Sequence, residues 1–397
     1  MISNLDEFLE IERRRGELQS SGTFTLSLER ALEKLRHYQL AHPAFYILKL
    51  IQSAIAAGAR RVDVRLRRDG ARVDFGLTEP GWYGSLRLIL EKLQGPITAA
   101  PSALEHLLIA LQSSQAIEGA RTCFTHACAE RWERVELSAG HVELERTFQP
   151  PRNQVVPGQS RFSFELRRPF TVSFLRSLWS RTHEYSAILA HCRLSPVPIF
   201  LDGRPLEPHL WKGDDDVLVG IVELSPRRRI DPGFRLDPGT HQAIQGLGLR
   251  TPGTHSGPLF LGVREPDGAY RAPRAEDSKQ LLRAAVLVRV GSEQQPDSFQ
   301  FVKSGIALAP RPLDLGIPGQ AHGFCSAEML KTDLSGLQVV EDEAFGRELE
   351  RLRSMTRRFV YYANSNMQGL EKAWAGDLAA LTRARRWLTE CCTEMRF

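Results

Sequence analysis

Apolar positions mark out most of the elements of this chain before any composition is counted. Residues 25–40, TLSLERALEKLRHYQL, place Leu26, Leu28, Leu32, Leu35 and Leu40 at mostly helical spacing, after a short charged helix over 5–15. Pro43 sits where a first helical turn tolerates proline. It opens FYILKLIQSAIAAGARRV (45–62), which reads as an amphipathic helix running into a strand. That helix is expected to bury Phe45, Leu48, Ile51 and Ile55, with Gln52 at the edge, and to end at Gly58. Two alternating runs follow, RVDVRL (61–66) and ARVDFGL (71–77), and the Asp69-Gly70 pair between them predicts a hairpin.

Helical patterns return over 84–94 and 102–117, and 122–148 reads as strands. The opening 150 residues therefore predict an α+β sandwich, with helices on one face of a mostly antiparallel sheet. PPRNQVVPGQ (150–159) reads as a linker. A strand (161–166), an apolar helix (172–191) and a strand with an Asp202-Gly203 turn (196–203) then form a β-α-β unit that is expected to open a second domain. Its further strands fall at 217–224, 258–263, 285–290 and 299–308, around a Gly-, Pro- and Arg-rich loop or insertion at 225–257. From 343 onward Phe345, Leu349, Leu352 and Phe359, then Leu370, Trp374, Leu378 and Leu381, keep helical spacing. The expected division is 1–150, 160–312 and a connecting and helical region 313–397.

Composition narrows the class. The 397 residues are 42% hydrophobic and 25% charged, as in ordinary globular proteins, and no apolar run is long enough to span a bilayer. The N-terminal stretch is charged throughout, without an apolar signal core. Six scattered cysteines are no disulfide framework and fit a reducing cytoplasm. The net charge of +5 is concentrated in residues 351–397, which hold nine Lys/Arg against four Asp/Glu. A basic helical tail of this kind meets either solvent or an acidic partner such as nucleic acid, and Arg227, Arg228 and Arg229 could extend that surface.

The order helix, LKLIQSAIAAGA, hairpin, helices, linker and β-α-β resembles the GHKL ATPase superfamily, whose members include the ninety-kilodalton heat-shock chaperones, the mismatch-repair ATPases and type II topoisomerase ATPase subunits. SPVPIFLDGRPL resembles a strand and turn of their transducer domain. FQFVKSGIALAP with LKTDLSGLQVVEDEAF resembles the end of the heat-shock chaperone middle domain. The resemblance implies a GHKL-type α/β sandwich, a transducer-like β-α-β domain and C-terminal helices, in a cytoplasmic, bacterial protein.

In that family a helix carries Glu-x-x-x-Asn followed by Asp-Ala-Gly-Ala. The Glu activates water, the Asn holds magnesium, and a later Asp-x-Gly-x-Gly reads adenine. Laid on that pattern, Lys49 takes the Glu position, Ser53 the Asn position, Ala56 the Asp before Ala57-Gly58-Ala59, and Thr78 the adenine Asp, with Pro80 and Gly81 near the first motif glycine. Lys49, Ser53, Thr78 and Gly81 are the positions where a degenerate pocket would meet ATP or ADP with magnesium. A phosphate-wrapping glycine turn is expected near 112–122, where only Gly119 is available.

The resemblance thus implies a pseudo-ATPase working as a scaffold or chaperone-like protein through a protein partner. Two alternatives stay open: a divergent active ATPase using Asp74 or Glu79, and a nucleic-acid-binding module using Arg227–Arg229 and the 351–386 arginines. Cys123, His126 and Cys128 lack the spacing of a zinc knuckle, and GLGLRTPGTHSG (246–257) lacks the lysine of a phosphate loop.

Overall fold

The computed structural model describes residues 40–78, 86–94, 102–128, 132–138, 141–147, 160–169, 182–207, 217–225, 233–235, 259–265, 267–271, 274, 277, 280–290, 298–318, 320–333, 335–368, 371 and 378–394. The helices expected over 5–15 and most of 25–40, the arginines 227–229, and the glycine-rich run 246–257 lie outside the described residues.

A short 3₁₀ turn, Pro43–Phe45, leads into helix α1, Tyr46–Ala56, and Gly58 follows with φ +89°. Strands β1, Val62–Arg67, and β2, Gly70–Leu77, form the expected hairpin. Helices α2, Leu86–Gln94, and α3, Ser102–Gln115, precede β3, Arg121–Ala127, β4, Trp132–Ser138, and β5, His141–Thr147. Next come β6, Ser160–Arg167, helix α4, His183–His191, β7, Ile199–Leu201, and β8, Arg204–Pro205.

These eight strands form one sheet in the order β5-β4-β3-β6-β2-β1-β7-β8. The strand over 161–166 therefore does not open a second domain. As β6 it is hydrogen-bonded between β2 and β3, and β7 lies parallel to β1 in the same sheet. The reason lies in the alternation: Phe162, Phe164 and Leu166 supply the same apolar face as Val73, Phe75 and Leu77, so one side of the sheet is continuous under α1 and α3. Glu133 of β4 is buried and accepts the Leu86 N–H at 3.2 Å, which places a carboxylate at the start of α2.

A second, seven-stranded sheet follows: β9, Val217–Leu224, β10, Leu259–Arg264, β11, Tyr270–Arg271, β12, Leu282–Val290, β13, Ser298–Lys303, β14, Ile306–Ala307, and β15, Gln320–Ser326. Its order is β11-β10-β9-β12-β15-β13-β14. Helices α5, Glu343–Ser365, and α6, Leu378–Glu394, bury Leu352, Phe359, Trp387 and Leu388 against one face, alongside Ala284, Val286 and Val288 of β12. Ala285 and Leu287 point to the other face and join Leu194, Phe234 and Phe324. The architecture is α+β, as the hydrophobic pattern predicts. No described helix is long and apolar enough to cross a membrane.

Candidate functional site

The chemistry that the pattern of α1 foreshadows lies in its middle turns, and the helix is not amphipathic in place. Every residue from Tyr46 to Ile55 is buried, including Lys49, Gln52 and Ser53. The cause is that α1 is covered on several sides: by the first sheet, by α3, and by the β13–β14 turn of the second sheet. Ser304 (φ 47°) and Gly305 (φ 75°) form that turn between the paired Lys303 and Ile306, a two-residue primed hairpin. A Cβ on Gly305 would lie 2.4 Å from Ile55 Cδ1, so this turn rests directly on the end of α1.

The polar groups of α1 are consumed locally. Ser53 donates its hydroxyl to the carbonyl of Ala103 at the start of α3, at 2.7 Å. Lys49 Nζ donates to Gln52 Oε1 at 2.9 Å, and Gln52 Nε2 donates to the Lys303 carbonyl at 3.0 Å, which ties α1 to β13. Lys303 Nζ in turn donates to the Leu330 carbonyl. Gly336, with φ +64°, sits over the Lys49 amine: a Cβ there would come within 2.4 Å of Nζ. Asp333 shapes the turn by accepting from Ser335 Oγ at 2.8 and 2.7 Å, Leu337 N at 3.2 Å and Gln338 N at 3.1 Å.

The electrostatics follow from burial. Desolvation pushes the Lys49 amine down to about 8; Asp333 and Glu105 oppose that shift, and Lys303 adds to it. Lys303 is lowered for the same reason, with Glu328 and Glu105 opposing. His106 of α3 is held well below its ordinary value, first by burial and then by the charges of Lys49 and Lys303, and neither ring nitrogen has a hydrogen-bond partner among the described residues. Two ammonium groups and a neutral imidazole thus share one buried centre between α1, α3 and the second sheet.

The other expected positions fall elsewhere. Thr78 is exposed just past β2, and Gly81 and Glu79 lie outside the described residues. Asp74 is buried on β2, but its neighbours Val73 and Phe75 face α1, so strand alternation aims Asp74 at the opposite side of the sheet. There it meets Arg72 at 2.9 Å and Arg161 at 3.8 Å. Gly119 belongs to the turn between α3 and β3. On β3, His126 stacks on Phe162 at 4.5 Å, whereas Cys123 lies beside Arg134 at 3.1 Å. No group of three or more potential metal ligands occurs among the described residues. Sequence reasoning did not select His106, Gln52, Asp333 or Gly336. The visible signal was His106 itself, a titratable residue inside the apolar run LLIAL and its flanks on α3.

No family model matches this sequence, and no curated protein matches it. Among solved structures, the chain is similar to the B-subunit of the DNA gyrase from Myxococcus xanthus, at 10% identity, over 82% of this chain and 91% of that one, with a TM-score of 0.44. A likeness of that size assigns no activity.

Proposed function

We propose that this chain keeps a GHKL-like layout without its nucleotide chemistry and acts as a scaffold or chaperone-like protein through contacts with other proteins. One observation carries the reading: the α1 positions where the resemblance would put base and metal ligand are internal packing groups. Ser53 is spent on the Ala103 carbonyl, and Lys49 is sealed under Gly336. Magnesium takes near-octahedral oxygen coordination, and ATP hydrolysis needs a positioned base near the γ-phosphate. α1 carries no carboxylate, and its two hydroxyls are engaged, Ser53 on the Ala103 carbonyl and Tyr46 on Glu184. The residues present therefore do not fit a magnesium nucleotide at this face.

The alternatives draw less support. Asp74 lies on the far side of the sheet and is held by Arg72 and Arg161, which suits an internal ion pair better than a relocated base. Of the 351–386 arginines, Arg351 is inside an ion-pair network, and Arg353, Arg385 and Arg386 lie against Glu350, Glu371 and Glu390. That arrangement leaves less free positive charge for nucleic acid than the count of arginines suggests.

The test is thermal unfolding with and without millimolar Mg-ATP and Mg-ADP, run beside a phosphate-release assay. We expect no turnover and no magnesium-dependent stabilisation. Turnover that a Ser53→Ala variant abolishes without unfolding would overturn the proposal.

A further inference from the structure

The first sheet has two faces of opposite character. Val135, Leu137, Phe162 and Phe164 belong to the core beneath α1 and α3. The residues that alternate with them look the other way and are charged or small and polar, most of them exposed or half-buried. The strand registers set them in rows. One row crosses six strands: Arg65 on β1, Arg72 on β2, Glu165 on β6, Cys123 on β3, Glu136 on β4 and Glu143 on β5. Its charge changes sign across the sheet, from arginines on β1 and β2 to glutamates on β4 and β5. Like charges stand directly opposite each other at Arg65–Arg72 and Glu136–Glu143, which is unfavourable for a sheet on its own. Arg72 is paired with Asp74 and Glu136 with Arg134, each at 2.9 Å. Arg65 on one side and Glu143 on the other are exposed and form no ion pair among the described residues.

We infer that this face docks a second copy of the chain, face to face, about a two-fold axis that runs along the strands between β6 and β3. The sheet order then lays β1 and β2 of one copy over β5 and β4 of the other, and each row meets itself. Arg65 faces the second copy's Glu143, Arg72 faces its Glu136, and symmetry makes each contact twice. In the neighbouring row Ser163 and Thr125 meet at the centre, where small side chains let the two sheets approach. Two meetings are like-charged, Arg167 with Arg121 at the rim and Asp63 with Glu145. In both, one member is already paired within its own copy: Arg167 with Glu165 at 2.8 Å and Asp63 with Arg61 at 2.6 Å. Six strands about 4.8 Å apart and about seven residues long give a footprint of roughly 500 Å² per copy. The pair buries about 1,000 Å², the size of a weak, polar and salt-sensitive interface. A polyanion on the arginine side is the competing occupant, but it leaves Glu136 and Glu143 unmatched. The inference concerns the face away from α1 and does not rest on the reading of α1.

The deciding experiment is sedimentation velocity on the full chain over a micromolar to submillimolar series, at low ionic strength and at about 1 M salt, where the screening length is about 3 Å. The expected result is a monomer–dimer equilibrium at low salt that is lost at high salt. Arg65→Glu and Glu143→Arg, both at exposed positions, should each weaken self-association by about tenfold or more, because each puts like charges opposite each other twice per dimer. An equimolar mixture of the two variants should recover the dimer, since both mixed contacts are again of opposite sign. The double variant Arg65→Glu/Glu143→Arg should dimerise as wild type does. Thermal unfolding midpoints close to wild type in both single variants separate a lost interface from a lost fold.

A chain that stays monomeric over the whole series at low salt overturns the inference. So does a dimer indifferent to both single variants, which would form through another surface. A mixture that recovers no dimer overturns the two-fold pairing of Arg65 with Glu143. A fluorescent single-stranded DNA oligonucleotide, titrated by anisotropy at the same low salt, checks the competing occupant. Binding that Arg65→Glu abolishes, by a protein that remains monomeric, would assign the arginine side to a polyanion and overturn the second copy.

Discussion

Two of the buried charged centres among the described residues are solved in opposite ways. On the second sheet, Glu223 of β9, Arg264 of β10 and Glu348 and Arg351 of α5 form a closed set. Arg264 meets Glu223 at 2.7 Å, and Arg351 pairs with both Glu223 and Glu348. The Cys325 thiol also donates to Glu348, at 3.1 Å. Burial by itself would raise the Glu348 carboxyl, but Arg351 holds it below its usual range. Each charge there has its partner inside the protein. Between α1, α3 and the β13–β14 turn two lysines and a histidine gather with no ion pair among the described residues, and burial displaces their titration. The comparison separates a charge network closed by direct ion pairs from one in which two lysines are buried near carboxylates with which they form no ion pair.

The closed network gives the largest expected effect. Arg351→Met would leave Glu223 and Glu348 buried with less compensation, and breaking such a pair costs about 3–5 kcal/mol. Urea unfolding of the variant should show that loss. A change below about 1 kcal/mol would mean the network is solvated and the contrast is wrong.

Lys49→Met should move stability the other way. A shift of the amine from 10.5 to about 8 corresponds to roughly 3 kcal/mol of unfavourable charge burial. At pH 7 the variant should therefore gain about 1–3 kcal/mol, part of the relief being offset by the loss of the Gln52 bond. The sign with pH follows from proton counting. Between about 8 and 10.5 the unfolded chain holds this proton and the folded chain does not, so folding strengthens as pH rises. The advantage of Lys49→Met over wild type should thus be full below pH 8 and fade toward pH 10.5.

Much of the fold was legible because local and tertiary demands agreed. The β1–β2 hairpin follows from strict alternation, and the Asp202-Gly203 turn carries the positive φ values its residues favour. β15 escaped notice because QAHGFCS has no β-branched residue. Gly323 is there because the Phe299 ring lies where a Cβ would stand. β6 was misplaced because a Pro- and Gly-rich segment punctuates the chain without ending its sheet. The site was half legible. Lys49 and Ser53 stood out as misfits against a resemblance, but their burial depends on α3 and on a turn some 250 residues away in sequence, estimated from the Gln52–Lys303 contact. Nothing local to α1 distinguishes an amphipathic helix at a pocket wall from one enclosed on all sides.

His106 sharpens the contrast at lower pH. Its folded-state value lies well below 6.5, so as pH drops through 6.5 the unfolded chain takes up a proton that the folded chain refuses. Stability then falls by up to about 1.4 kcal/mol per pH unit from this residue alone. His106→Leu should remove that part of the acid slope and leave the behaviour above pH 7 unchanged, measured by urea unfolding from pH 7 to 5. An identical acid slope in both proteins would show that His106 is hydrated and partnered, and the centre would lose one of its three members.

Ser53→Ala gives the smallest effect and asks whether the α1 face is packing or pocket. The Ser53 hydroxyl donates at 2.7 Å to the Ala103 carbonyl, and both groups are buried. Removing the donor deletes one hydrogen bond to the Ala103 carbonyl at the start of α3 and should cost about 1 kcal/mol. Were the face open to water, a solvent molecule would take over the bond and the cost would shrink to a few tenths of a kcal/mol. The two values are distinguishable by denaturant midpoint at constant slope. The larger one makes Ser53 part of the seam between α1 and α3. The smaller one would reopen the face to a ligand, and with it the hydrolytic reading that the packing argues against.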